Sequence, residues 1–196
     1  MFNLSNMLVS LVGIAIAISV HEFGHAYSAY LLGDDTAKYN GRMTLNPAKH
    51  VDPLGLITLI LFHIGWAKPV PVNPNNFKNY RVGNIIVSLS GALGNLIGAI
   101  VCAIIVKSVD MYAVQIIFDS AMWINIAFGA FNLLPIPPLD GWGVISSLLP
   151  YKYNEFIYKY ENMGYFVLLI AIFTDAYLIV TRPITMVFYA IVSIFM

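Results

Sequence analysis

Residues 7–25 read MLVSLVGIAIAISVHEFGH, an apolar run that leads directly into two histidines four positions apart. On an α-helix, residues four apart share a face, so the imidazoles of His21 and His25 can converge on one ion while Glu22 stands beside them. The pattern His-Glu-x-x-His on a helix is typical of zinc hydrolases. Ionisable side chains are costly in a helix apolar enough to span a membrane, so this stretch predicts a functional site at membrane depth.

The composition places the chain among integral membrane proteins. Of its 196 residues, 59% are hydrophobic and only 10% are charged, whereas soluble domains carry about 25% charged residues. The net charge is zero and there is no basic tract, which excludes nucleic acid from the expected partners. The only cysteine, Cys102, lies in an apolar run, so the sequence predicts a packing role for it and neither a disulfide nor a thiol-only metal site.

Hydrophobic segments of about 20 residues, the length that spans a bilayer as a helix, predict the fold. Three spans of at least this length are expected, at residues 4–32, 83–106 and 113–134, and two shorter apolar spans follow at 164–180 and 183–196. The sequence therefore predicts an all-α polytopic membrane protein with about five transmembrane helices and a zinc site within the membrane. It forms one integral membrane domain over residues 1–196, with a core at 4–150 and C-terminal spans at 164–196.

Two segments between the first two spans predict local structure of another kind. Residues 54–66 are apolar but too short to span comfortably, which favours a re-entrant or interfacial segment packed against protein. Residues 67–74 hold three prolines, which favour extended backbone and predict short extended strands at an edge or rim.

The second span carries a stripe of small residues that predicts close helix packing. Ser90, Gly94 and Gly98 recur every four residues and would let another helix approach closely. Asn95 lies beside this stripe, and the sequence leaves two roles open for it, an interhelical hydrogen bond or a direct part in catalysis.

The basic residues predict how the protein is oriented in the membrane. Eight of the ten lysines and arginines fall on one side of the predicted spans, and only Lys107 and Arg182 fall on the other. Because basic loops stay in the cytoplasm, we expect a multi-pass protein of the cell membrane whose active site opens toward the cytoplasm.

A catalytic zinc site needs a third protein ligand besides the two histidines. Residues 132–141 read NLLPIPPLDG, and their three prolines must break the helix just before Asp140. Non-helical backbone at membrane depth is tolerated where it lines a cavity, so we choose Asp140 over His50 and His63. The two other histidines are expected to be structural, with a gating role also open for His50.

Two aspartates near the spans, Asp119 and Asp175, are not assigned to catalysis. The segment beginning at Asp175 is expected to mark a helix break or to lie at a membrane interface.

The transmembrane His-Glu-Phe-Gly-His and the later NLLPIPPLDG together resemble the site-2 protease family of intramembrane zinc metalloproteases, in a compact form without a PDZ or CBS domain. Further matching stretches are LNP at 45–47, GWAKPVPV at 65–72, and SLSG at 88–91 followed by Asn95. The resemblance covers about residues 13–150. Two positions depart from the family pattern, Trp142 where another glycine is usual and Ala92 where proline is common.

The resemblance implies the roles of the site residues. His21, His25 and Asp140 would bind one Zn²⁺ ion, Glu22 would act as the general base, and Asn132 would engage the substrate. The implied activity is zinc-dependent cleavage of peptide bonds in or near transmembrane segments of membrane-anchored protein substrates, with room for a membrane regulator.

Two further expectations concern the substrate and the competing function. A helical substrate must unwind before cleavage, and extended backbone at 70–72 could pair with it as an added strand. A proteolytically inactive metal-binding scaffold or a metal transporter is the alternative, although a transporter would usually show an internal repeat, which this sequence lacks.

Overall fold

The computed structural model describes residues 4–62 and 65–196, and its regular structure is helical. Five helices are long and apolar enough to cross a membrane, which confirms the all-α polytopic fold. The α-helices are α1 (Leu4–Leu31), α2 (Thr36–Tyr39), α3 (Pro53–Phe62), α4 (Tyr80–Ser108), α5 (Tyr112–Asn132), α6 (Asp140–Leu148), α7 (Asn154–Phe173) and α8 (Tyr177–Val192). The five membrane-length helices are α1, α4, α5, α7 and α8.

Helices α1, α4 and α5 pack against one another and form the centre of the bundle. The largest buried cluster joins α4 and α5 to the end of α8, and its members are Ala99, Cys102, Ala103, Ala121, Met122, Ile126 and Val192. Cys102 is buried in this cluster, which confirms its predicted packing role.

Glycines bring α1 and α4 into contact at the level of the predicted metal site. A methyl group built on Gly94 would lie 2.6 Å from the carbonyl oxygen of Val20, and one built on Gly24 would lie 2.5 Å from that of Ser90. Real carbon atoms do not approach so closely, so each helix needs glycine where the other crosses it. The tight helix contact predicted from the stripe at Ser90 and Gly94 is confirmed.

The connection between α1 and α4 is compact but lacks the predicted strands. Short helical turns interrupt it at Pro47–Lys49 and Pro74–Asn76, and α3 covers most of the short apolar segment. Within the described residues the only strand-like pairing is one isolated antiparallel bridge between Val51 and Ala67. Prolines contribute to this result, because Pro69 and Pro71 lack N–H groups and leave the segment only one edge along which it could pair. His63 lies outside the described residues, and the re-entrant nature of the α3 segment stays a prediction.

Asp34 ties this connection to the end of α1. Its side chain is fully buried and accepts hydrogen bonds from the backbone and hydroxyl of Thr36, from the backbone of Asn73 and from the amide of Asn76. Burial pushes the pKa of Asp34 upward, but these hydrogen bonds outweigh it and hold the pKa below its ordinary value of 3.8. The charged form of Asp34 is therefore the one that the fold stabilises.

We expect Asp34→Asn to lower the free energy of unfolding at pH 7 by about 1–3 kcal/mol, because buried donors lose a charged acceptor. The folded pKa lies below the unfolded one, so this stabilisation is complete above the unfolded pKa and is lost as the pH falls through the folded pKa. Thermal unfolding at pH 7 and at pH values below about 4 measures it, with the exposed carboxylate variant Asp110→Asn as control. A difference from the wild type that does not shrink with falling pH would contradict this role.

The predicted limits of the last two spans are wrong. The chain breaks at residues 174–176, where Asp175 has a positive φ of 57°, and Pro183 lies inside α8 instead of at its start. The left-handed residue ends α7, whereas Pro183 is the seventh residue of α8 and removes one intrahelical hydrogen bond without ending the helix. The polar stretch at residues 146–162, for which the sequence predicts an amphipathic connection at most, forms the end of α6, a short helical turn at Tyr151–Tyr153 and the first half of α7.

Trp142 fastens α6 to the first half of α7. Its indole is buried, its ring centroid lies 4.7 Å from that of Tyr160, and its Nε1–H donates to Glu161 Oε1 at 2.9 Å. The family departure at this position is therefore accommodated by packing against α7.

Candidate metal centre

Three side chains with metal-binding atoms converge at the centre of the bundle. The Nε2 atoms of His21 and His25 lie 3.1 Å apart, and each lies 3.2 Å from Oδ2 of Asp140. Within the described ranges, His21, His25 and Asp140 form the only group of three or more such residues close enough to hold a metal ion. The structure thus brings together the three residues that the sequence predicts as ligands.

Local sequence explains how each of the three reaches this point. His21 and His25 are one turn apart on α1, so their rings project from the same face. Asp140 begins α6 after the segment 133–139, whose prolines end α5 and turn the chain back toward α1. One ligand therefore comes from a loop–helix junction and two come from a rigid helix.

The polarity of the three groups fits a bound cation. Asp140 Oδ2 is buried and has no hydrogen-bond donor in the described part of the protein. The Nδ1 atom of His25 lies 2.7 Å from the carbonyl oxygen of Val87, which can only accept, so Nδ1 carries the proton and a neutral imidazole presents a lone pair at Nε2. Nitrogen lone pairs facing an orphaned carboxylate oxygen at 3.2 Å are favourable when a positive ion lies among them.

Gly91 of α4 leaves the space that the two imidazoles occupy. A methyl group at this position would lie 2.5 Å from Nε2 of His25 and 2.6 Å from Cε1 of His21. Glycine is therefore needed at the end of the SLSG motif at 88–91, because a larger residue would collide with the rings of His21 and His25.

We expect Gly91→Ala to weaken zinc binding by at least about tenfold, the size of effect seen when the surroundings of metal ligands are disturbed. The added methyl displaces both rings, so the defect should appear in zinc affinity measured by chelator competition. Gly13→Ala is the matched control on α1, because its methyl would press on the Ile124 side chain and the Ala121 backbone of α5, about two turns of α1 away from His21. Equal zinc affinity in the two variants would contradict the steric argument.

Glu22 lies beside the cluster and is held by the proline-rich segment. Its Oε2 accepts a hydrogen bond from the backbone N–H of Val70 at 2.7 Å, and the side chain is buried. Its other oxygen, Oε1, takes part in no hydrogen bond among the described residues. Pro69 and Pro71 flank Val70 and lack N–H groups, so Val70 is the residue of this triplet that can hold the carboxylate.

The segment that holds Glu22 is itself anchored at both ends. Buried Arg42 donates from Nη2 to the carbonyl oxygens of Lys68 at 2.7 Å and Pro69 at 3.2 Å. Asp34 accepts from the N–H of Asn73 at 2.7 Å. These contacts fix the proline-rich segment next to the metal cluster. They could not be predicted from local sequence, because they join residues distant in the chain.

The cluster opens into a cleft of about 920 Å³. One wall is formed by the proline-rich segment and another by the second half of α7, and the lining includes Trp66, Pro69, Val72, Phe128, Phe131, Asn132, Tyr165, Leu168, Leu169 and Ile172. Asn132 lies in the wall of the cleft, and its amide nitrogen donates to the carbonyl oxygen of Phe128 at 3.0 Å. Its role in substrate binding stays a prediction.

A second cavity of about 830 Å³ also reaches Asp140. Its lining includes charged and hydroxyl-bearing side chains, among them Arg81, Ser146, Tyr151 and Glu161. Asp140 therefore borders two cavities, of which the second is the less apolar.

Three other ionisable residues considered from the sequence lie outside the cluster. His50 is fully buried and pairs through Nε2 with the carbonyl oxygen of Thr44 at 2.8 Å, in agreement with its predicted structural role. Asp119 and Asp175 are exposed and belong to no metal-binding group. The sequence predicts either a helix break or a membrane interface at Asp175, and the backbone confirms the helix break.

Comparison with known proteins identifies relatives along most of the chain. The family model of "Peptidase family M50" matches residues 104–174, which include Asp140 and the helices around it. The chain is 37% identical over 183 residues to "Putative zinc metalloprotease YwhC" of Bacillus subtilis (strain 168), covering 88% of this chain and 84% of that protein. It is 30% identical over 182 residues to "Putative zinc metalloprotease Rip2" of Mycolicibacterium smegmatis, covering 86% of this chain and 68% of the relative.

For another relative, the matched region covers only about half of that protein. The protein of the same name from Mycobacterium tuberculosis (strain ATCC 25618 / H37Rv) is 31% identical over 148 residues, which are 68% of this chain and 54% of that protein. No solved structure gives a significant match to the chain.

Proposed function

Because this chain belongs to peptidase family M50, the site-2 protease family, and is a zinc metalloprotease, we propose that it cleaves membrane-anchored proteins in or near their transmembrane segments. One observation carries this proposal. The metal-binding cluster and Glu22 lie on or against α1, a helix apolar enough to span a membrane, and they face a cleft lined by other membrane-length helices.

We assign the zinc ligands to His21, His25 and Asp140. Two imidazoles and one carboxylate leave a fourth position for water or substrate, as catalytic zinc sites require. When bound, the zinc ion supplies a Lewis acid that makes water more acidic and polarises a carbonyl group.

Glu22 is assigned the proton transfers. Its Oε2 is held by Val70, which orients the carboxylate and leaves Oε1 to take a proton from the attacking water. The same oxygen can then give the proton to the leaving amine, so one carboxylate serves as base and acid in turn. A neutral hydrogen bond from a backbone N–H orients the group without cancelling its charge.

The cleft suits an apolar, unwound segment of substrate. Its walls are mostly hydrophobic, and the amide of Asn132 offers a hydrogen-bonding group near Asp140 for a strained backbone or an oxyanion. The second cavity at Asp140, with its charged and hydroxyl-bearing lining residues, offers a separate route by which water can reach the site. Such an arrangement separates the entry of lipid-embedded substrate from the entry of water.

We propose that the backbone at 70–72 binds substrate as an extended strand through Val72. The N–H of Val70 is already engaged by Glu22, whereas no hydrogen bond to the N–H of Val72 exists among the described residues. Residues 70 and 72 of an extended chain direct their N–H groups to the same side, so Val72 faces the edge where substrate would lie.

We therefore expect Val72→Pro, which deletes this N–H, to raise KM for a transmembrane substrate while zinc content is unchanged. Val72→Ala is the matched control, because it removes the same packing against buried Ala26 and Val70 but keeps the N–H. Steady-state cleavage in liposomes measures both variants. Equal KM values for the two would rule out strand pairing at this position.

The basic residues support an active site that opens toward the cytoplasm of a cell membrane. Eight of the ten basic residues lie between α1 and α4, in the first turn of α4, or between α6 and the first half of α7, segments that alternating membrane crossings would place on one side. The metal cluster lies near the end of α1 on that side.

Reconstituted protein tests the proposed function. Purified zinc-loaded protein in liposomes should cut a panel of single-span proteins, and mass spectrometry should place the new termini within or next to the span. Cuts restricted to soluble, unfolded polypeptides would contradict an intramembrane site. Bound zinc without any cleavage would favour the scaffold, and zinc flux into the liposomes would favour a transporter.

A further inference from the structure

A pair of fully buried asparagines lies behind the metal cluster and is not used by the chemistry above. Asn95 of α4 and Asn125 of α5 both have no solvent exposure. Oδ1 of Asn95 lies 2.8 Å from Nδ1 of His21. Nδ2 of Asn95 donates to the carbonyl oxygen of Ala17 at 2.9 Å and to Oδ1 of Asn125 at 3.0 Å.

Backbone carbonyls fix the orientation of both amides. A carbonyl oxygen only accepts hydrogen bonds, so the atom of Asn95 next to Ala17 must be the nitrogen. In the same way, Asn125 donates from Nδ2 to the carbonyl oxygen of Ala121 at 2.8 Å, which turns its Oδ1 toward Asn95. Rotating either amide by half a turn would place oxygen against oxygen in a buried site.

The fixed orientation determines the tautomer of His21. Because the atom of Asn95 facing His21 is an oxygen, Nδ1 of His21 must be the donor. A neutral imidazole protonated at Nδ1 has its lone pair at Nε2, the atom that faces His25 and Asp140. These hydrogen bonds join α1, α4 and α5. They leave the lone pair of His21 Nε2 available to bind a metal ion.

We propose that Asn95 and Asn125 are positioning residues that hold His21 in the zinc-binding tautomer and ring orientation. Asn95 acts by direct contact, and Asn125 acts through Asn95. The inference rests on the proposed role of His21 as a zinc ligand. Outer partners of this kind typically change metal affinity by about 10–100-fold.

Two glycines provide the space that the asparagine pair occupies between α4 and α5. A methyl group on Gly98 would lie 2.8 Å from Oδ1 of Asn125, and one on Gly129 would lie 3.1 Å from Cβ of Asn95. Glycines on both helices therefore leave room for the two amides between α4 and α5.

Two substitutions of Asn95 separate positioning from packing. Asn95→Leu removes both the acceptor and the donors, and we expect zinc affinity to fall about 10–100-fold. Asn95→Asp keeps the acceptor for His21 but loses the donors to Ala17 and Asn125. It should therefore lose stability while its zinc affinity falls by less than about tenfold.

A third variant and a control complete the set. Asn125→Leu should weaken zinc binding less than Asn95→Leu, because Ala17 still holds the Asn95 amide. Gln115→Leu removes a carboxamide that bonds the carbonyl of Val109, about three turns away on α5, and should leave zinc affinity unchanged.

Zinc affinity by chelator competition is one readout, and histidine nitrogen NMR of the metal-free protein at pH 8 is the other. The protein contains four histidines, and the His21 signal is identified by its loss in His21→Gln. We expect a proton at Nδ1 of His21 in the wild type and in Asn95→Asp, and its loss from Nδ1 in Asn95→Leu.

Three results would overturn the inference: a wild-type His21 protonated at Nε2, equal losses of zinc affinity in Asn95→Leu and Asn95→Asp, or unchanged affinity in Asn95→Leu. If Asn95→Leu does not fold, the tautomer and affinity of Asn95→Asp and Asn125→Leu decide the question. Absence of zinc from the wild type would contradict the proposed function, while the tautomer would still report on the amide pair.

Discussion

Asp140→Asn is expected to remove zinc from the protein and to abolish cleavage together. Oδ2 of Asp140 faces Nε2 of both histidines at 3.2 Å and is the one negative charge that meets the lone pairs of the two rings. A neutral amide has the same shape but cannot balance a divalent cation there. Because a ligand is lost, zinc affinity should fall by more than the roughly 10–100-fold that the loss of an outer partner costs.

The control for this prediction is Asp119→Asn, which neutralises an exposed carboxylate on membrane-length helix α5. Zinc content after dialysis and cleavage of a transmembrane substrate should match the wild type in this control and be absent in Asp140→Asn. Full zinc occupancy in Asp140→Asn would show that the third ligand lies elsewhere.

Glu22→Gln is expected to separate metal binding from catalysis. Glutamine can still accept the hydrogen bond from Val70 through its amide oxygen, so the proline-rich segment should stay in place. It cannot accept a proton, and the loss of a general base lowers turnover by roughly 10²–10⁴-fold. Zinc content should remain that of the wild type.

Turnover and zinc content should be measured on the same preparations of wild type and Glu22→Gln. Glu155→Gln, at an exposed position in the first turn of α7, is the matched control and should behave as the wild type in both measurements. Undiminished turnover in Glu22→Gln would exclude Glu22 as the base. It would not contradict the assignment of the three zinc ligands.

The helices and the metal cluster could be predicted because both depend on local pattern. An apolar run of bilayer length predicts a helix whatever packs against it, and the spacing of His21 and His25 places both rings on one face. Prolines before Asp140 predict a chain reversal for equally local reasons. Membrane-length helices, the buried cysteine and the α1–α4 contact at Gly94 follow from the same kind of signal.

The partners of these residues could not be predicted because they are distant in sequence. Nothing local connects Glu22 with the N–H of Val70, or Asn95 with Asn125, and each pair meets through the packing of separate elements. The sequence left two roles open for Asn95, and the interhelical hydrogen bond is the one that the structure shows.

The end of the chain was predicted less accurately for another physical reason. Pro183 suggests a boundary, but α8 continues through it, as membrane-spanning helices can when neighbouring groups satisfy the freed carbonyl. Asp175 in a left-handed conformation ends α7 instead. Helix ends in apolar sequences are poorly marked, since hydrophobic residues continue on both sides of the break. Only polar residues such as Thr174 and Asp175 indicate it.

Zinc-edge X-ray absorption of the purified, active protein tests the central claim most directly. Two imidazole ligands and one carboxylate predict only nitrogen and oxygen neighbours at about 2.0–2.2 Å, with imidazole scattering from two rings. The Asp140→Asn protein should give no such spectrum after dialysis. A sulfur neighbour at about 2.3 Å, or scattering from fewer than two imidazoles, would contradict zinc binding by His21, His25 and Asp140.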